Sequence, residues 1–133
     1  MRSWHDYHLV GYSVDGRSAT LAFEVRWPYA TETDVKAATI MFSGVVGYVL
    51  ENDLGSNILY GIEERPLGQF LTEQRSRFEE SQRWGWPTFW KGTVEETLSD
   101  LATARIKCFD VSSSYGLSGW VLANEVTTRE GKA

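Results

Sequence analysis

The segment Ser18-Ala19-Thr20-Leu21-Ala22-Phe23-Glu24-Val25-Arg26-Trp27 alternates almost residue by residue between apolar and polar. Ala19, Leu21, Phe23, Val25 and Trp27 fall on one side, and Ser18, Thr20, Glu24 and Arg26 on the other. A period of two is the mark of a strand with one buried face. Just upstream, residues 7–14 (YHLVGYSV) are apolar and rich in strand formers, and Asp15-Gly16 follows them. Asp-Gly suits a two-residue hairpin turn, because both residues tolerate positive φ. An antiparallel hairpin is therefore the first expectation.

Working outward, Pro28 ends the second strand, and Thr31-Glu32-Thr33-Asp34 reads as a polar connection. Residues 35–43 form a third strand, with Gly44 and Gly47 allowing a bend. Residues 46–51 and 57–63 supply two more, the last with Ile58, Tyr60 and Ile62 on one face. Pro66 then opens a helix whose Leu67, Phe70, Leu71 and Phe78 share a stripe. Gly85 and Pro87 stop it. Thr93-Val94-Glu95-Glu96 announces a second helix with a capping box, and Val94, Leu98 and Leu101 form its apolar side. Residues 105–112 and 117–126 return to strand character. The expected fold is α+β: an antiparallel meander of about five strands, two helices packed on one sheet face, and a C-terminal hairpin.

The chain has 133 residues, a length that fits a single domain over 1–133. Hydrophobic residues at 42% support a packed core and exclude intrinsic disorder. The net charge is −5, and residues 1–65 hold 9 acidic against 5 basic groups. The absence of a basic block argues against nucleic acid as a direct ligand, whereas a basic protein partner is electrostatically allowed. No apolar run reaches membrane-spanning length and no signal peptide opens the chain, so the expected setting is cytoplasmic, with no membrane partner. The single Cys108 excludes an internal disulfide and multi-cysteine zinc sites.

Chemistry-bearing patterns are few. His5, Asp6 and His8 are metal-ligand types at short spacing and hold both histidines of the chain. On a strand only residues 6 and 8 share a face, so a metal would need a distant carboxylate. Cys108 lies in a strand pattern without a neighbouring histidine and reads as a small buried hydrophobe. No phosphate-binding glycine loop is present, and no cofactor is implied. Two partner-facing features stand out. Three Trp and a Phe crowd into residues 84–90, where Trp86 and Trp90 flank Pro87 and are the expected exposed pair. Glu32, Asp34, Glu51, Asp53, Glu63 and Glu64 sit at strand ends or connections, and a shared sheet edge would gather them into a negative rim, with Asp34, Glu51 and Asp53 as the chosen contacts.

The opening Trp4-His5-Asp6-Tyr7-His8-Leu9, the Asp15-Gly16 hairpin, Phe42-Ser43-Gly44-Val45-Val46-Gly47-Tyr48 and Asn57-Ile58-Leu59-Tyr60-Gly61-Ile62-Glu63 together resemble small uncharacterised bacterial protein families. Some relatives of these families are similar to immunity proteins of polymorphic toxin systems. The resemblance spans residues 4–64 and implies a non-enzymatic, protein-binding domain that neutralises a toxin by covering its active site. Two alternatives stand beside it: a small metal-dependent hydrolase built on His5, Asp6 and His8, and a homo-oligomer subunit, which the aromatic content allows.

Overall fold

A computed structural model describes residues 2–131; Met1, Lys132 and Ala133, the ends of the expected 1–133 domain, lie outside the described residues. The fold is α+β, with two helices and an eight-stranded antiparallel sheet. The strands are β1 (His8–Asp15), β2 (Thr20–Arg26), β3 (Ala37–Ser43), β4 (Gly47–Glu51), β5 (Asn57–Arg65), β6 (Lys107–Tyr115), β7 (Ser118–Ala123) and β8 (Glu125–Glu130). The helices α1 (Leu67–Ser81) and α2 (Val94–Thr103) are inserted between β5 and β6, which pair with each other. Pro66 occupies the N-cap of α1, and the Thr93 hydroxyl caps α2 by accepting a bond from the Glu96 N–H at 3.1 Å. Among the described residues no helix is long and apolar enough to cross a membrane.

The spatial order is β4-β7-β6-β5-β1-β2-β3-β8. β3 and β4 are one path bent at residues 44–46, and β7 and β8 are a second path bent at Asn124. Because β3 pairs with β8 while β4 pairs with β7, the two bent paths pair along both limbs and close the sheet into a barrel. Backbone bonds stitch the corner: Asn124 N–H to Ser43 O and Val46 N–H to Leu122 O, each 2.9 Å. Curling brings Phe42 of β3 within 5.6 Å of Phe109 of β6, although the two strands are far apart in sheet order. The β1–β5 seam is short: it pairs His8 with Ile58 and Leu9 with Asn57, and the Asp6 N–H donates to Leu59 O and the Leu59 N–H to Tyr7 O, each at 2.9 Å.

Two cores result. Inside the barrel lie Leu9, Leu21, Phe23, Val25, Ile40, Phe42, Leu59, Phe109, Val111 and Val121, with Trp4 and Tyr7 of the N-terminal segment packed among them. Outside it, Phe70, Leu71 and Phe78 of α1 and Leu101 of α2 pack on Cys108, Trp120 and Leu122, the outward residues of β6 and β7. The strands β6 and β7 are thus buried on both faces.

Several expectations are corrected. The first hairpin turn spans residues 16–19, not two residues. Asp15 accepts bonds from the N–H groups of Arg17 (2.9 Å) and Ser18 (3.4 Å), so it organises the turn from its edge. Only β1–β2–β3 is a meander, since the bend after β3 carries β4 across to β7. The sheet face that the helices cover is that of β6 and β7. A bulge between Leu59 and Gly61 turns Ile62 inward and leaves Tyr60 outward, so the three residues expected on one face of β5 divide.

The corner generates a prediction. Gly44 has φ +66, and a Cβ there would overlap the side-chain carbonyl of Asn124. Gly44→Ala combines a left-handed strain with overpacking and should destabilise by about 2–4 kcal/mol in urea unfolding. Truncating Asn124 in the same chain should return part of that loss, so the double-variant cycle will show coupling, not additivity.

Candidate functional site

β7 stays paired with β6 as far as Ala123, opposite Lys107. Beyond Asn124 the chain crosses to β3 as β8, while β5 and β6 continue side by side to the Arg65–Cys108 pair. A cleft of about 850 Å³ opens between β8 and the β5–β6 pair. Directly opposed residues of neighbouring strands share a face, which tells what points into it. Glu64 is opposite Phe109, Lys107 opposite Ala123, Thr128 opposite Ile40 and Glu130 opposite Ala38. Each of those four partners belongs to the barrel core. The inward positions therefore change from apolar to charged or polar where the barrel opens.

Ile62, Phe109 and Val126 form the apolar part of the lining. Glu63, Glu64, Glu125 and Glu130 supply four carboxylates, against Lys107 and Arg2. Arg2 is already engaged, donating to both oxygens of Asp34 at 2.8 and 3.3 Å. That pairing holds the Asp34 carboxyl below its usual range and raises the guanidinium. Among the described residues the four glutamates make no ion pair. The cleft is an anionic surface over an apolar floor.

The expected acidic rim is divided. Asp34 sits beside the cleft through Arg2, and Glu63 and Glu64 line it. Glu51 lies 3.9 Å from Arg77 of α1. Asp53 accepts from Asn57 Nδ2 at 2.9 Å and from the Gly55 N–H at 2.8 Å, bonds that lower its pKa and give it a structural task. Its partner Asn57 is buried and ties the 52–56 connection to the turn after β6, accepting from the N–H groups of Leu54 (3.0 Å) and Leu117 (2.9 Å).

The aromatic expectation is reversed at two positions. Trp90 is buried against Phe78, whereas Trp84, with 76% of its surface exposed, is the free ring. Trp86 is half-buried, packed on Phe78 and Trp120 with the Arg77 guanidinium over it. Tyr48 and Tyr60 are exposed as well.

The histidine cluster does not assemble. His5 pairs with Asp6 at 3.5 Å and stacks edge-on with Tyr60, while His8 meets Tyr29 at 3.4 Å. Among the described residues no group of three or more His, Cys, Asp or Glu side chains is placed to hold a metal ion. Burial, aided by the Asp110 charge, pushes the Cys108 thiol up to about 12, which removes thiolate chemistry at neutral pH.

Against known proteins the chain has no match. No family model, no curated protein and no solved structure is similar to it. The functional argument therefore rests on the cleft, whose Lys107, Glu125, Thr128 and Glu130 were not singled out from sequence. For Lys107, Thr128 and Glu130 the signal was the inward period-two position carrying a polar residue near a strand end. It becomes readable only once β8 is known to pair with β3.

Two measurements check this description. Trp90→Ala should cost about 3–5 kcal/mol of stability, whereas Trp84→Ala should stay within about 0.5 kcal/mol of the parent. At pH 8 the native Cys108 should react with a thiol-specific disulfide reagent at less than about a hundredth of its rate in denaturant. Fast labelling of the folded protein would show an accessible thiol.

Proposed function

We propose that this chain is a cytosolic, non-enzymatic protein-binding domain that receives a basic partner in the cleft between β8 and β5–β6. The role that fits best is that of an immunity protein neutralising a toxin. The observation that carries the reading is the cleft itself: an open concavity with an apolar floor and four carboxylates, against two cations, that make no ion pair among the described residues. Such a surface gains both burial and Coulomb energy when a basic surface enters, and the long-range field speeds encounter. The resemblance of residues 4–64 to uncharacterised bacterial families, some of whose relatives are similar to immunity proteins, points the same way. The hydrolase reading loses its support where His5 and His8 part.

The homo-oligomer reading draws on another surface, the outward face where Tyr60 and Tyr115 are 60% and 57% exposed on paired strands. It requires a concentration-dependent mass in sedimentation, and a monomer at all concentrations removes it.

The test of the main reading is affinity capture from the native host, with the wild type beside a Glu64→Lys/Glu125→Lys double variant. The wild type should retain a basic protein that arrests growth when expressed alone and is harmless when co-expressed with this chain. The charge-reversed chain should melt like the parent yet retain at least about tenfold less, and rising salt should weaken wild-type capture. Equal retention by both chains, or by neither, overturns the reading.

A further inference from the structure

β8 has hydrogen-bonding capacity that the fold leaves unused on one side. Among the described residues it pairs with β3 alone and stands at one end of the strand order. The Gly131 N–H donates to Ala37 O at 2.8 Å, which fixes Ala37–Gly131 as a hydrogen-bonded pair. Alternation along an antiparallel ladder then places Arg129, Thr127 and Glu125 in the hydrogen-bonded pairs with Thr39, Met41 and Ser43. The N–H and C=O groups of Val126, Thr128 and Glu130 consequently aim away from β3. These three residues also line the cleft. A free strand edge six residues long thus borders the concavity, and the carboxylates stand around it.

We propose that the cleft is a strand-acceptor site: an extended Lys- or Arg-bearing segment of the partner pairs in antiparallel fashion with β8, with its basic side chains on the face that carries Glu63 and Glu125. This rests on the protein-binding reading above and names the partner segment and its mode. Main-chain bonds to Val126, Thr128 and Glu130 supply affinity, and the carboxylates supply selectivity. Charge decides between occupants. A second copy of this chain pairing β8 to β8 would bring four more glutamates to a site that already holds four, so self-pairing is opposed. A basic segment meets no such cost. Its apolar side chains, alternating with the basic ones, cover Ile62, Phe109 and Val126.

The probe is a capped hexapeptide, acetyl-Thr-Lys-Val-Lys-Val-Lys-amide, followed by calorimetry and by amide exchange of the labelled protein. Three comparisons surround it: the same peptide with Glu for Lys, the Lys peptide N-methylated at alternate residues, and a Thr128→Pro chain. Thr128→Pro removes an N–H that the β3 ladder does not use, so the fold should persist. The Lys peptide should bind at least tenfold more tightly than the Glu peptide and slow exchange at Val126, Thr128 and Glu130. N-methylation and Thr128→Pro should each weaken binding at least tenfold. If the Lys peptide does not bind, or if the N-methylated peptide binds as well as the parent, the strand-acceptor proposal is overturned. The N-methylated peptide leaves the protein untouched, so that arm decides even if Thr128→Pro fails to fold. Partner capture lost in Glu64→Lys/Glu125→Lys but kept in a folded Thr128→Pro chain would leave the protein-binding reading standing and remove only strand addition.

Discussion

The contact between Gly44 and Asn124 is the constraint on which the rest of the molecule depends. Asn124 sends its main-chain N–H to Ser43 O and its side-chain amide to the carbonyls of Ala104 (2.7 Å) and Arg105 (3.3 Å). Its own carbonyl fills the space where a side chain at Gly44 would begin. One residue thereby fixes the bend of the β3–β4 path, the bend of the β7–β8 path and the end of α2. Bending at this corner takes β8 away from β6 and hands it to β3. Closure of the barrel core and opening of the cleft are consequently a single geometric event. Gly119 plays a smaller part in the same closure, since the backbone of Val49 lies so close that a Cβ there would strike its carbonyl.

Local patterns were legible from sequence because they depend on neighbours along the chain. The alternation of Leu21, Phe23 and Val25, the stripe Phe70, Leu71 and Phe78 and the cap at Thr93 all describe what was found. Pairing was not legible, because β4 reads as a continuation of the meander whichever strand it joins. The bulge at Tyr60 was equally hidden, since one extra residue reverses the facing of everything after it without altering composition. Glu63 and Glu64 were visible as an acidic pair, but their placement beside Glu125 and Glu130 requires the long-range pairing of β8 with β3. The cleft is thus a product of topology, assembled from segments more than sixty residues apart.

The aromatic surplus follows from a barrel that carries a second layer. β6 and β7 must satisfy packing on both faces, with Phe109 and Val121 inside and Cys108, Trp120 and Leu122 outside. Phe78 is the hub of the outer layer and meets Phe70, Trp86, Phe89, Trp90 and Trp120 at ring separations of 5.4 to 6.0 Å. Phe89 lies over Gly47 so closely that a Cβ there would approach its ring to 2.7 Å, which seats the 84–90 segment on β4. Only Trp84, beyond the edge of this layer, is left free. An aromatic cluster joining two helices is therefore mostly a structural clasp, because its rings bury large apolar areas in edge-to-face contact.

An exposed strand edge is a hazard that proteins commonly blunt with charge. Around β8 four carboxylates outnumber the cations Arg2, Lys107 and Arg129 and stand beside an apolar floor. Clustered carboxylates oppose one another and add nothing to folding. Substituting neutral polar residues would protect the edge less and destabilise nothing, so the arrangement is not one that stability alone requires. The same four glutamates that discourage a second copy from pairing with β8 discriminate in favour of a cationic strand, because repulsion of the wrong partner and attraction of the right one arise from a single set of charges. Edge protection and recognition at β8 therefore have one physical origin.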